Sequence, residues 1–160
     1  MSRDKTRHSI LAEDVQSRPK RSNYPEPFST HVGEREKKPL GEVFGLSNFG
    51  VNFTRLPPGS MSALMHSHSR QDELVYVLEG QPTLVKETVE IDLKPGMCCG
   101  FPADGEAHHL VNRTEQVVVI LEIGDRARGD EVRYPHSDLK AGFRSDGTWG
   151  FSHADGTPYE

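Results

Sequence analysis

The stretch MHSHSRQDELVYVLEG, residues 65–80, decides the reading of this chain. It sets His66 and His68 two positions apart, Glu73 five positions after the second histidine, and an apolar run from Leu74 to Leu78 directly behind the carboxylate. Side chains alternate along a strand, so residues two apart share a face about 6.6 Å along the chain. His66 and His68 therefore point the same way. If the segment from Glu73 returns antiparallel after the turn SRQD, Glu73 meets both imidazoles across the gap. Unpaired in an apolar interior, three such groups would be heavily penalised. A divalent cation, whose ligands are imidazole nitrogen and carboxylate oxygen, removes the penalty. An ordinary hydrogen-bonded group of histidines and glutamate is the competing reading.

Parity fixes more of the strand. Glu73, Val75 and Val77 share one face, and Leu74, Tyr76 and Leu78 share the other. Glu73 as a ligand makes the first set interior; Asp72 as a ligand would reverse the register, and Asp72 is better suited to the turn. Both faces are apolar, so the outer one needs a cover, either a partner subunit or the N-terminal arm. A further ligand has to come from another strand, and GEAHHLVN, residues 105–112, offers His108 or His109. Alternation alone does not choose between them. His8, His31, His136 and His153 stand alone in polar or glycine-rich stretches and are read as non-ligands.

Outward from this motif, residue 43 onward reads as short β-type runs: FGVNFTRL, SALMHSH, ELVYVLEG, PTLVKET, VEIDL, MCCGF, HHLVN and QVVVILEI. Turn residues separate them at Pro57-Pro58-Gly59, Gly80-Gln81-Pro82, Lys94-Pro95-Gly96 and Asp104-Gly105. The pattern predicts an all-β antiparallel sandwich or barrel with no helix of three or more turns after residue 43. Residues 1–22 hold six Lys/Arg against three Asp/Glu and read as an arm. The charge run GEREKKPLG, residues 33–41, reads as a solvated loop without chemistry. The expected organisation is an arm over residues 1–25 and a single domain over 26–160, its motif-bearing core at about 43–125 and a C-terminal extension at about 126–160 wrapping the barrel. A chain of 160 residues buries about two-thirds of its unfolded surface, enough for one real core.

Composition narrows the function. A net charge of -5 and a pI near 5.9 supply no basic field, so nucleic acid and acidic membrane surfaces are not expected partners. Cys98 and Cys99 are adjacent and give no disulfide framework, which fits a reducing compartment. No apolar span of membrane length occurs and the first residues lack a secretory core, so a cytoplasmic location is expected. Of Cys98 and Cys99, one should point inward as an inert thiol. The tripeptide Arg128-Gly129-Asp130 is read as chance.

Two ordered motifs resemble the cupin superfamily of small β-barrels. The first is Gly59, six residues, His66-Ser67-His68, four residues, Glu73, six residues, Gly80. The second is Gly96, five residues, Pro102, Ala103-Asp104-Gly105, Glu106-Ala107, His108, three residues, Asn112. The spacer after Gly59 and the Pro102 to Gly105 interval each depart from the family pattern by one residue, both upstream of the ligands. GFPADGEAHHLVNRT and GDEVRYPHSDL also look like small bacterial single-domain cupins of the cupin 2 type. The resemblance selects His108 over His109. It implies a double-stranded β-helix, or jelly-roll barrel, one divalent transition metal held by His66, His68, Glu73 and His108, and commonly a homodimer.

Three neutral ligands and one carboxylate leave two positions open on an octahedral ion, and Zn, Fe, Mn, Ni or Cu would fit such donors. Leu64, Val75, Val77, Phe101 and Leu110 are the expected pocket lining, with Asn112 either facing a ligand or holding the strand-end turn. The resemblance implies a metal-dependent enzyme on a small polar metabolite, with sugar-phosphate isomerase, dioxygenase or lyase chemistry. A non-catalytic metal-binding or small-ligand-binding protein is the alternative. An isomerase would need a basic phosphate clamp, for which Arg55, Lys86 and Arg113 are the candidates.

Overall fold

Strand-forming runs broken by turn residues build twelve strands among the residues that the computed structural model describes, 8–20, 22–143 and 148–159. They are β1 (Glu36–Pro39), β2 (Phe49–Leu56), β3 (Ser67–His68), β4 (Glu73–Glu79), β5 (Thr83–Lys86), β6 (Glu90–Asp92), β7 (Cys98–Phe101), β8 (His108–Val111), β9 (Val118–Asp125), β10 (Glu131–Arg133), β11 (Lys140–Phe143) and β12 (Trp149–Ser152). Three sheets result, in the orders β1-β2-β9-β4-β7, β12-β11-β10-β3 and β6-β5-β8. Their pairings are antiparallel, as the pattern predicts, and together they form the jelly-roll barrel that the cupin resemblance implies. No helix among the described residues is long and apolar enough to cross a membrane.

Register follows parity. Glu73 pairs with Phe101 on one side and Gly124 on the other, and Val75 with Cys99 and Glu122. Val75 and Val77 are buried inside with Leu56, Leu84, Leu93, Phe101, Leu110, Val118 and Ile120. Burial of each large aliphatic side chain contributes about 1.5–3 kcal/mol, so this cluster holds the two halves of the barrel together. Leu74 and Tyr76 point out and remain 40% and 38% exposed. A second cluster of Val32, Leu64, Val132, Tyr134, Leu139 and Ala141 closes the other side.

The charge run GEREKKPLG is not a solvated loop: its centre is β1, paired along β2 from Glu36↔Arg55 to Pro39↔Asn52. The reason is that alternate charged side chains find partners on both faces. Lys37 turns inward to Glu122 at 2.8 Å, and Lys38 turns outward to Glu13 of the arm at 3.4 Å. The described part of the arm is pinned to the same strand, with Val15 buried and the Arg18 amide donating to the Lys37 carbonyl at 2.9 Å. The C-terminal residues do more than wrap the barrel. β10 pairs with β3 and with β11, so they form the wall beside the histidines.

Candidate metal centre

Local backbone pairing brings the histidines together. His66 and His108 form an antiparallel bridge, each amide donating to the other's carbonyl, at 3.2 and 2.9 Å. His68 follows on β3, opposite Val132. Glu73 opens β4 after the 69–72 turn, on the inward face. The consequence is one point of convergence. The Nε2 atoms of His108, His66 and His68 lie 3.1, 3.4 and 3.6 Å from Glu73 Oε2. The donor atoms of His66, His68 and Glu73 lie within 4.8 Å of one another, the spread expected of ligands about 2.0–2.2 Å from a shared ion.

The outer ring nitrogens of two of the histidines are held by acceptors. His66 Nδ1 lies 2.8 Å from the Leu64 carbonyl, which can only accept, so the neutral ring carries its hydrogen there and presents a lone pair at Nε2. His68 Nδ1 lies 2.5 Å from the Asp130 carboxylate, with the same result. Glu73 Oε2 and His108 Nδ1 are buried without hydrogen-bond partners among the described residues. Three imidazole nitrogens and a carboxylate oxygen thus converge across a short gap, a donor set that a cation would satisfy. Burial pushes Glu73 up, but the imidazoles of His108, His66 and His68 hold its carboxyl well below the usual carboxylate range. Burial likewise holds His108 below the usual histidine range. The anionic carboxylate and neutral His108 are the ligand forms.

The group opens into a cavity of about 550 Å³. Val75 and Leu110 line it, while Leu64, Val77, Phe101 and Asn112 do not. Leu64 and Val77 belong to the two apolar clusters, and Phe101 stacks flat on His108, centroids 3.5 Å apart at 2°. The Asn112 amide donates to the Leu56 and Gln116 carbonyls at 2.7 Å, which ties the turn after β8. His109 faces away, its Nδ1 3.0 Å from the Ala63 carbonyl.

The three clamp candidates are elsewhere. Arg55 pairs with Glu13, Lys86 with Glu106 and Arg113 with Glu90, none of them on the cavity. The lining instead holds Arg18, Lys20, Arg35, Lys37 and Arg126, with Tyr24, Tyr134 and Glu122. Glu122 had a visible signal: it shares inward parity with Val118 and Ile120, so the acid stands on a buried face. Asp130, fully buried, lies in the tripeptide read as chance.

A protein of Silicibacter pomeroyi described as a sugar phosphate isomerase from a cupin superfamily is 35% identical, superposes with a TM-score of 0.88, and is matched over 96% of this chain and 97% of its own. The chain belongs to the cupin superfamily. Residues 52–124 of this cupin match the family described as Cupin domain. A protein of Acidithiobacillus ferrooxidans, provisionally named a sugar phosphate isomerase, is 32% identical over 79% of this chain and 80% of its own, with a TM-score of 0.70. A polyketide cyclase of Streptomyces resistomycificus, 21% identical over 74% of this chain and 79% of its own at a TM-score of 0.62, shares the fold. No curated protein matches the chain.

Proposed function

We propose that this cupin is a metal-dependent enzyme acting on a small polar metabolite, with proton-transfer chemistry of the sugar-phosphate isomerase kind. The observation that carries the reading is the convergence of three Nε2 atoms on one buried, unpartnered oxygen of Glu73 at the wall of a cavity. His66, His68, Glu73 and His108 would hold one divalent transition ion. Such an ion, when bound, supplies Lewis acidity for polarising a carbonyl.

The chain's own residues provide the rest. Isomerisation of a hydroxy-carbonyl compound moves a proton between adjacent carbons and needs a group that takes and returns it. Glu122 and Lys37 stand on the cavity wall as such a pair. Lys37 Nζ donates to Glu122 Oε1 at 3.0 Å and the Thr54 hydroxyl donates to Oε2 at 2.5 Å, which orients the carboxylate. Burial lowers Lys37 below the ordinary lysine range, against the pull of Glu122, and so makes it a better proton donor. The likeness to the Silicibacter protein, spanning nearly both chains, supports the same chemistry.

The reading extends to setting and assembly. Cys98 and Cys99 are free thiols, which suits the cytoplasm. The outer face of the five-stranded sheet presents Leu74, Tyr76 and Phe49 at 38–41% exposure, a surface suited to a homodimer.

The test is metal analysis of protein purified without chelator, followed by turnover of phosphorylated and free aldoses and ketoses under air and under nitrogen. Interconversion with equal rates in both is the expected result, and His66→Ala should abolish metal content and turnover together. Oxygen consumption would point to dioxygenase chemistry, and metal retention in His66→Ala would overturn the ligand assignment.

A further inference from the structure

Five basic side chains line a cavity in a chain of net charge -5, and their partners divide them into two groups. Arg35 is buried, donates to the Ser62 carbonyl and lies over the Tyr24 ring at 5.6 Å. Lys37 is matched by Glu122. Both are held by the protein itself. The other three stand at the mouth. Arg18 and Arg126 share a single carboxylate oxygen, Glu42 Oε1, at 2.7 and 3.5 Å, and each keeps 39% of its side chain exposed. Lys20 has no ion-pair partner among the described residues. The nearby Asp125 carboxylate is taken up by the backbone N–H groups of Asp72 and Ala127, at 3.0 and 2.8 Å. Three cations thus stand against two carboxylates, one of them committed to backbone.

The floor beneath them is bare. Glu73, Gly124 and Gly50 form one inward-facing row across β4, β9 and β2. A Cβ on Gly124 would lie 3.7 Å from Glu73 Cγ, and one on Gly50 would lie 3.6 Å from Arg126 Nη2. A slot without side chains therefore runs from the Glu73 carboxylate to the Arg126 guanidinium. Its basic end is made partly by the N-terminal arm. The arm is anchored on either side of this point, by the Arg18 amide on the Lys37 carbonyl and by Tyr24 packed against Tyr134 and Phe151, each at 5.7 Å between centroids.

We propose that Arg18, Lys20 and Arg126 form a phosphate subsite at the cavity mouth, in which the arm and the end of β9 clamp the phosphoryl group of a substrate whose reacting end reaches Glu73 along the Gly50–Gly124 floor. This deepens the isomerase reading and rests on it for the substrate's other end, but the anion subsite is defined by its own residues. Guanidinium groups bind phosphate through paired charge-assisted hydrogen bonds, and a partner that releases one Arg from a shared carboxylate gains most from a dianion. Two of the arm's six basic residues, Arg18 and Lys20, thereby acquire a role at the cavity.

The experiment is calorimetric titration of the full-length protein, as purified, with inorganic phosphate at low salt. Wild type, Arg18→Gln, Arg126→Gln and the double variant are compared, with metal content measured on each sample. Expected are saturable phosphate binding by wild type, a loss of about tenfold or more in each single variant, a larger loss in the double, and unchanged metal content. Arg126→Lys, which keeps the charge, should lose less than Arg126→Gln. Phosphate affinity unchanged in the double variant with metal retained would overturn the subsite, as would no binding by wild type. Neither turnover nor the identity of the metal enters this readout, so a failure of the isomerase reading leaves it standing and its own failure leaves that reading testable.

Discussion

Asp130 Oδ2 lies 2.5 Å from His68 Nδ1, while Asp130 Oδ1 accepts from the backbone amides of Arg70 and Gln71 at 2.8 and 3.2 Å. One buried carboxylate thus sets the tautomer of a histidine and the path of the turn that delivers Glu73. Every group around it donates, so the site demands an acceptor at both oxygens. Asp130→Asn puts an amide N–H against one of those donors. Loss of such an orienting partner typically costs 10–100-fold in metal affinity. We expect that range for Asp130→Asn in a competition assay against a chromophoric chelator, with the barrel still folded by circular dichroism. Wild-type affinity in the variant would show that His68 needs no such support.

Phe101 plays the corresponding part for His108, by shape instead of charge. The two rings are nearly parallel, and Phe101 is only 6% exposed. Phe101→Ala should destabilise the protein by about 3–5 kcal/mol through the cavity it leaves. Phe101→Leu separates packing from orientation, since leucine fills most of the volume and offers no flat face. It should recover most of the stability, measured by urea unfolding, while metal affinity stays below wild type. If affinity recovers in step with stability, the stacking does not orient the imidazole.

How much of this was legible follows from the range of each interaction. His66, His68 and Glu73 could be placed together because period-two alternation and one short turn relate them. Parity also separated Val75 and Val77 from Leu74 and Tyr76, as the exposures bear out. The choice of His108 over His109 came from the family motif, because two adjacent histidines look alike to any periodicity. Asp130 is 62 positions from His68 and Glu122 is 85 from Lys37, so nothing local ties either pair. Lys37 was further disguised by a charge run that alternates its partners between the two faces of β1. Arg18 and Lys20 were visible as excess basic charge, but their position over the cavity depends on how the arm crosses β1.

Gly59 and Gly80 begin from the same backbone, φ +77° at each, and differ in their surroundings. A Cβ at Gly59 meets nothing within 4 Å, whereas one at Gly80 would sit 2.9 Å from the Val117 carbonyl oxygen and 2.9 Å from Val118 Cα. Gly59→Ala should cost only the left-handed penalty of about 1–2 kcal/mol. Gly80→Ala adds a clash with backbone that cannot move without breaking the β4–β9 pairing. We expect it to lose several times as much stability in urea unfolding; equal losses would mean that the turn at Gly80 has room to shift.

The last prediction concerns Tyr24 and Tyr134, whose rings meet edge to face at 5.7 Å beside the cavity. Burial pushes the Tyr134 phenol well above the ordinary tyrosine range, with the neighbouring Tyr24 adding to it, and burial also raises Tyr24 against the opposing charge of Arg35. An unfolded tyrosine ionises near 10, so above that pH the folded state holds protons that the unfolded state has released. Stability from this source is therefore complete below about pH 10 and declines as pH rises beyond it. Lys37, lowered by burial, acts in the opposite sense: between its folded value and about 10.5 the unfolded state binds more protons, and stability rises with pH. The two contributions overlap in wild type, and the variant separates them. Tyr134→Phe loses about 1 kcal/mol near neutrality with the hydrogen bond to Tyr24. Its urea midpoint should then fall less steeply than wild type between pH 10 and 11, with less delayed tyrosinate absorbance. Parallel declines in the two proteins would mean that Tyr134 ionises as freely folded as unfolded.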